Sequence, residues 1–289
     1  MLDNLPKANY VFIIGIQRSG TTILHRLFTN HREVAFLEVV SNRLSKYPWA
    51  LWLVPLIRAR YKYPERMKSG KSRPRAQEGS IWWRFHTPLE YLTEADATEE
   101  KKRYYYSMID AQLKLFGNPS IFVSKNPADC LRLRWLDAIF PGAKYILIWR
   151  DPRAVIHSMY QKMHDEMAIG LHNNRNYNSR GNITIYEKFR SPDNPSELQA
   201  FINYYSFARS KLLQDLQVVS DRMIQIAYED FVKNPREELS RLYDFAGLKE
   251  YPGLIESIPD KLEPENNEKW KSLPEADRQL LESAVQNLA

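Results

Sequence analysis

Between Val11 and Thr22 the chain reads VFIIGIQRSGTT, and no other stretch narrows the possible folds as far. The branched apolar run VFII has strand length and suits a strand buried on both faces of a parallel sheet. Gly15 and Gly20 turn the chain sharply, and TTILHRLF then carries Ile23, Leu24, Leu27 and Phe28 at helical spacing. A strand that passes through a tight loop into a helix start aims unpaired N–H groups and the positive end of the helix dipole at one spot, which makes an anion cradle. Arg18 adds a fixed positive charge, and Ser19, Thr21 and Thr22 add hydroxyl donors.

The interval from Gly15 to Gly20 matches the first two glycines of the nucleotide P-loop, but Thr21 stands where that loop has its lysine. The lysine neutralises the outer phosphates of a triphosphate and the next hydroxyl holds Mg²⁺. Without it the loop suits a 5′-phosphate bearing a less charged partner. An incidental glycine pair in an ordinary strand-turn-helix is the plain alternative. A P-loop kinase or NTPase is the rival enzyme reading, and no Mg²⁺-binding aspartate stands clearly after a strand. The net charge of +6 over 289 residues favours an anionic ligand, nucleic acid or an anionic membrane surface without choosing among them. An RNA-binding protein is the non-enzymatic alternative, but the basic residues are scattered and no nucleic-acid module signature is present, so no nucleic-acid partner is expected. Cys130 is the single cysteine. It fits a reducing compartment and, within an apolar helix pattern, a buried structural thiol. MLDNLPKANY lacks the basic and apolar regions of a signal peptide. A cytoplasmic location is the resulting expectation.

Along the chain, Val34 to Leu37 reads as a second strand with Glu38 at its end, facing the crevice of Arg18. Tyr47 to Arg66 joins an aromatic and aliphatic run to Arg58, Arg60, Lys62 and Arg66. It reads as a core helix, an acceptor wall or, third, a membrane-surface contact. His86 lies in IWWRFHTPLEYL, as a structural histidine or a catalytic base. Thr98 to Phe116 reads as a helix with Thr98 at its N-cap and Gly117 at its end. SIFVS, Ser120 to Ser124, reads as a strand ending at Lys125-Asn126-Pro127, followed by a helix through Leu131, Leu133, Leu136 and Ile139. AKYILIW, Ala143 to Trp149, is a further buried strand. It ends at Arg150 and leads into a helix opened by Pro152, on which Ser158 and Lys162 share a face.

Glu166 to Glu197, polar and Asn-rich, reads as a long irregular loop. A helix then runs from about Pro195 to Val219. Met223 to Ala227 reads as the last strand, before one helix to Ala246 and a terminal helix from near Pro274. Arg18, Lys125 and Arg150 each stand at the carboxyl end of a strand. Three cations converging on one crevice are costly unless a polyanion fills it. The absence of repeats, heptads or linker composition suggests one domain, 1–289.

Assembled, these blocks resemble the sulfotransferases that use 3′-phosphoadenosine-5′-phosphosulfate (PAPS), and closely the branch of tyrosylprotein and related bacterial enzymes. The resemblance rests on QRSGTT at Gln17 to Thr22, Glu38 about twenty residues on, Lys125-Asn126-Pro127, FPGAKYILIWRDPRAVIHSM at Phe140 to Met159, YEDFVKNPREEL at Tyr228 to Leu239, and EKW at Glu268 to Trp270. It lapses in Tyr47 to Ser80 and Glu166 to Glu197, and the segments 47–92 and 166–197 are expected to line the acceptor site. It implies an α/β fold of three α/β/α layers around a mostly parallel sheet, like that of P-loop NTPases.

It further implies transfer of a sulfuryl group from PAPS to the hydroxyl of a small-molecule, glycan or lipid acceptor, leaving adenosine 3′,5′-bisphosphate. Arg18, Ser19, Gly20, Thr21 and Thr22 would surround the 5′-phosphate, and Arg150 and Ser158 the 3′-phosphate. Tyr228 and Lys269 would make further donor contacts. Glu38 would take the acceptor's proton, with His86 as rival or helper, and Lys125 would stabilise the leaving oxygen. No metal is expected, because a sulfuryl group carries less charge than a γ-phosphoryl. Gln17 replaces the proline common at the head of this loop.

Overall fold

The computed structural model describes residues 9–37, 78, 84–87, 89–117, 119–171, 181–192, 196–262 and 267–288. Glu38 and the segment Tyr47 to Arg66 lie outside them. Five parallel strands form one sheet: β1 (Asn9–Ile14), β2 (Val34–Phe36), β3 (Ile121–Lys125), β4 (Lys144–Trp149) and β5 (Met223–Ala227). Their order is β2-β3-β1-β4-β5, so the chain reverses direction across the sheet at β1. Such a switch point opens a crevice at the carboxyl ends of the strands.

Successive β1 side chains serve opposite faces. Tyr10, Phe12 and Ile14 enter one apolar core, while Val11 and Ile13 enter the other. The first core is closed by α2 (Glu99–Phe116), α3 (Leu133–Ile139), α4 (Pro152–Ala168) and α6 (Glu197–Leu216), and the second by α1 (Thr21–Phe28) and α8 (Pro235–Ala246). This is the three-layer α/β/α arrangement. Helix α2 begins where Thr98 accepts from the Lys101 N–H and ends at Gly117, whose φ of +82° needs a residue without a Cβ.

Several expected boundaries shift. Lys125 is the last residue of β3 rather than the first beyond it. The helix expected after Pro127 divides into a 3₁₀ turn (Pro127–Leu131) and α3. The single helix expected after Tyr228-Glu229-Asp230 and running to Ala246 is instead two, α7 (Tyr228–Lys233) and α8, divided at Asn234, because the residue before Pro235 is driven out of helical conformation. The largest correction concerns 166–197. Helix α4 runs on to Ala168 and α5 (Gly181–Phe189) occupies part of the expected loop, with Ile183 and Ile185 buried. Its first turn is tied down by a distant carboxylate that no local pattern announces. A free, buried Cys130 matches the structural thiol, and burial pushes that thiol up to about 12. Among the described residues no helix is long and apolar enough to cross a membrane.

Candidate active site

The loop between β1 and α1 holds its shape by two left-handed residues. Gly20 has φ of +92°, and Arg18, at +73°, is the one non-glycine among the described residues with positive φ. A side chain in that region costs about 1–2 kcal/mol, and such strain persists where the surroundings over-determine it. Here they do: Arg150 Nη1 donates to the Arg18 carbonyl at 2.9 Å, and Arg18 Nε donates to Ser158 Oγ at 2.9 Å. Ser19 is buried. Among the described residues no side chain caps α1, and no acidic residue occupies its first turn; a helix start of this kind can receive an anion.

Gly20 also meets a packing limit. A Cβ built there would lie 2.3 Å from Tyr228 Cδ2. The Tyr228 ring in turn carries the Arg150 guanidinium, 4.4 Å from its centroid. Gly20→Ala is therefore expected to add about 1–2 kcal/mol of backbone strain to a clash that displaces Tyr228. A thermal midpoint within about one degree of wild type would refute that packing.

Arg18 lines three cavities. The first, about 430 Å³, is bounded by Arg18, Arg150, Ser158, Lys162, Lys269, His157 and Asp165 among others, four fixed cations against one carboxylate among the described residues. The second, about 380 Å³, opens beside Gly20, Thr21, Thr22, Arg26, Arg150 and Tyr228. Arg150 is held from behind, since its Nε donates to Asn267 Oδ1 at 2.7 Å and Asn267 Nδ2 donates to Glu229 Oε1 at 2.7 Å. Beside the first cavity Trp270 is buried, with the Arg153 guanidinium 4.5 Å from its ring centroid.

The third cavity, about 290 Å³, shares Arg18, Thr21, Thr22 and Lys162 with the other two and adds Gln17, Glu78, Glu166, Asn182 and the apolar Leu89, Pro127, Ile185 and Tyr204. Lys125 Nζ donates to Thr22 Oγ1 at 3.0 Å and pairs with Glu78 Oε1. Burial lowers the ammonium's pKa, and Glu78 opposes the fall. Gln17 ties the loop to its surroundings, since its Nε2 donates to Asn182 Oδ1 at 3.3 Å and to Met159 Sδ at 3.3 Å. Buried Glu166 then accepts from Asn182 Nδ2 at 2.7 Å and from the N–H groups of Asn182 and Ile183 at 3.1 and 3.2 Å. A carboxylate at a helix start also meets the positive end of its dipole. The loop, α4 and α5 are thereby joined into one wall.

Most expected site residues thus come together: Arg18, Gly20, Thr21, Thr22, Arg150, Ser158, Tyr228 and Lys269 on adjoining cavities, with Lys125 bonded to Thr22. His86 stands apart and lines none of the three cavities. Its ring packs edge-on to Trp135, its Nδ1 lies 3.6 Å from Glu90 Oε2, and burial pushes its pKa down to about 4. Sequence reasoning missed Glu78, Glu166, Asn182, Asn267 and Glu229. Their spacing carries no signal, because each works through a partner far along the chain. Among the described residues no group of three or more His, Cys, Asp or Glu is placed to hold a metal ion.

The sequence profile of the Sulfotransferase family matches residues 10–252. The omega-hydroxy-beta-dihydromenaquinone-9 sulfotransferase Stf3 of Mycobacterium bovis is 24% identical over 283 residues, covering 89% of this chain and 68% of that protein. Protein-tyrosine sulfotransferase 2 of Gallus gallus is 23% identical over 247 residues, covering 82% of this chain and 51% of its own length. Among solved structures, sulfotransferase STF9 from Mycobacterium avium superposes with a TM-score of 0.58 at 13% identity, covering 99% of this chain and 78% of that one. STF1 from Mycobacterium tuberculosis gives 0.58 at 17%, covering 98% and 76%. At these identities the structural likeness is one of fold.

Proposed function

The chain belongs to the sulfotransferase family, and from that premise we propose how its residues divide the work of moving a sulfuryl group from PAPS to an acceptor hydroxyl. One observation carries the proposal. Arg18 and Arg150, 132 positions apart, are bonded to each other and open onto the same cavities. A donor with phosphate at both ends needs such a pair. In this reading the uncapped start of α1, with Arg18, Ser19, Gly20, Thr21 and Thr22, receives the 5′-phosphosulfate. Arg150 and Ser158 hold the 3′-phosphate, with Lys269 and Tyr228 beside it. Charged donors facing a dianion suit this assignment.

PAPS supplies a sulfuryl group on an anhydride oxygen. The acceptor oxygen forms the new S–O bond in line as the bridging S–O bond breaks. Its proton passes to Glu38, and the electron pair leaves with the 5′-phosphate, where Arg18, Lys125 and the α1 dipole meet the developing charge. Glu38 enters by the family resemblance. Support comes from β2, which runs parallel to β3 and ends at Phe36, two residues before Glu38, on the sheet edge of Lys125. The smaller negative charge of a sulfuryl group supports transfer without a metal ion. Thr21 in the lysine position leaves a triphosphate without its usual counter-charge, which disfavours the kinase reading.

The third cavity receives the acceptor in this proposal. Its apolar side, Leu89, Ile185 and Tyr204, suits the body of a lipid or other amphipathic alcohol or phenol, and its polar side, Gln17 and Asn182, a hydroxylated head such as a glycan. The lone cysteine supports a cytoplasmic enzyme.

Adenosine 3′,5′-bisphosphate should raise the melting temperature while ATP with Mg²⁺ does not; the reverse would favour the kinase. Arg150→Ala should weaken binding of the bisphosphate by about 1.5–3 kcal/mol, the worth of a charged hydrogen bond. Equal wild-type affinity for an analogue lacking the 3′-phosphate would overturn the assignment. Release of the bisphosphate across a panel of alcohols, phenols, sugars and lipid alcohols would identify the acceptor class.

A further inference from the structure

Lys125 is 1% exposed, and its ammonium is engaged on two sides, by Thr22 Oγ1 at 3.0 Å and by the Glu78 carboxylate. Glu78 is itself anchored, since its backbone carbonyl accepts from Asn126 Nδ2 at 3.1 Å, while Asn126 Oδ1 accepts from the Ala128 N–H at 3.0 Å. The carboxylate is therefore not a stray surface partner. It is tied by backbone to the residue that follows Lys125 and lines the cavity of Arg18, Thr21 and Thr22.

Resting on the sulfuryl-transfer reading, we propose that Glu78 is a positioning residue for that reaction: it holds the Lys125 ammonium charged and directed at Thr22. An anionic donor entering the loop then meets a lysine already protonated and already aimed.

Among the described residues, Glu78 is the carboxylate in direct contact with the Lys125 ammonium. Burial disfavours the ammonium, and Arg26 on α1 repels it. His25, also on α1, is fully buried with its pKa pushed down to about 3, so it stays neutral and brings no charge to the lysine. Asp129, in the 3₁₀ turn after β3, favours the ammonium but is pushed up to about 7 by its own burial and is drawn also to Arg132. Near neutral pH it is only a partial counter-charge. Arg18 adds another positive charge to the shared cavity. Glu78 meets the ammonium directly, and its side chain is 48% exposed.

Burial lowers the pKa of Lys125 and Glu78 raises it, so removing the carboxylate lets the lysine lose its proton at lower pH. The test is the affinity for adenosine 3′,5′-bisphosphate, measured by calorimetry between about pH 6 and pH 10, which needs no acceptor. Wild type should lose affinity on the alkaline side as Lys125 deprotonates. In Glu78→Gln that fall should begin about one pH unit lower, making binding roughly tenfold weaker on that limb. Adding Lys125→Arg to Glu78→Gln should abolish the limb, because a guanidinium does not titrate in this range.

Superimposable profiles for wild type and Glu78→Gln would overturn the proposal, as would a limb that survives in the double variant. Should Glu78→Gln not fold, Glu78→Asp withdraws the carboxylate by one methylene and should move the limb the same way by less; an unmoved limb overturns the proposal equally. Wild-type protein that binds no bisphosphate at any pH would instead refute the donor site itself.

Discussion

Lys125→Met is expected to lower the single-turnover rate of sulfuryl transfer by about 10²–10³, the usual cost of removing one donor aimed at developing negative charge. Methionine matches the length of the lysine stem and suits its buried position, so the loss isolates the ammonium. The affinity for PAPS should fall less, by about tenfold, because the ground state carries less charge at the bridging oxygen than the transition state does. Fold stability should hold or rise. A buried ammonium is expensive to desolvate, and Glu78, 48% exposed, can turn to water when its partner is gone. Rapid-quench kinetics with PAPS and a thermal melt measure both sides. A rate within about threefold of wild type would remove Lys125 from the reaction.

The second large effect separates two candidate bases. Glu38→Gln should lower kcat by about 10²–10⁴, the span of a lost general base, while His86→Gln should leave kcat nearly unchanged and lower the melting temperature instead. The reasons lie in what surrounds His86. Its Nδ1 faces Glu90, its ring meets Trp135, and its pKa is held near 4. It also lines none of the cavities that hold Arg18. An imidazole so placed is a weak proton acceptor and stands apart from the cavities that Arg18 lines. A steep loss of kcat in His86→Gln at unchanged stability would transfer the role to it.

The loop illustrates how far residue types alone reach. Gly20 could be read as a turn glycine from its place between a buried strand and a helix, and the structure agrees at φ of +92°. That Tyr228 leaves no room for a Cβ there could not be read, because the two meet only after β5 is laid beside β4. Gln17 is the sharper case. As a lone departure from a proline-bearing pattern it had no partner, and its meaning appears only when α5 brings Asn182 to it. Helix α5 was hidden because its first turn depends on Glu166 of α4 and not on a neighbouring cap.

What the sequence determined by itself is everything that depends on near neighbours: apolar runs of strand length, a glycine loop leading into a helix, and a cation at the end of each of three buried strands. From these came the parallel sheet, the edge on which the candidate site lies, and the anionic character of the donor. Tertiary structure alone decided which partner each polar group meets, so that Arg150 secures Arg18, Asn267 secures Arg150, and Glu78 secures Lys125. The reason is physical. Secondary structure follows from short-range sterics and hydrophobic periodicity written along the chain, whereas a buried charge accepts whichever opposite charge or dipole the folded chain carries to it, from any distance in sequence.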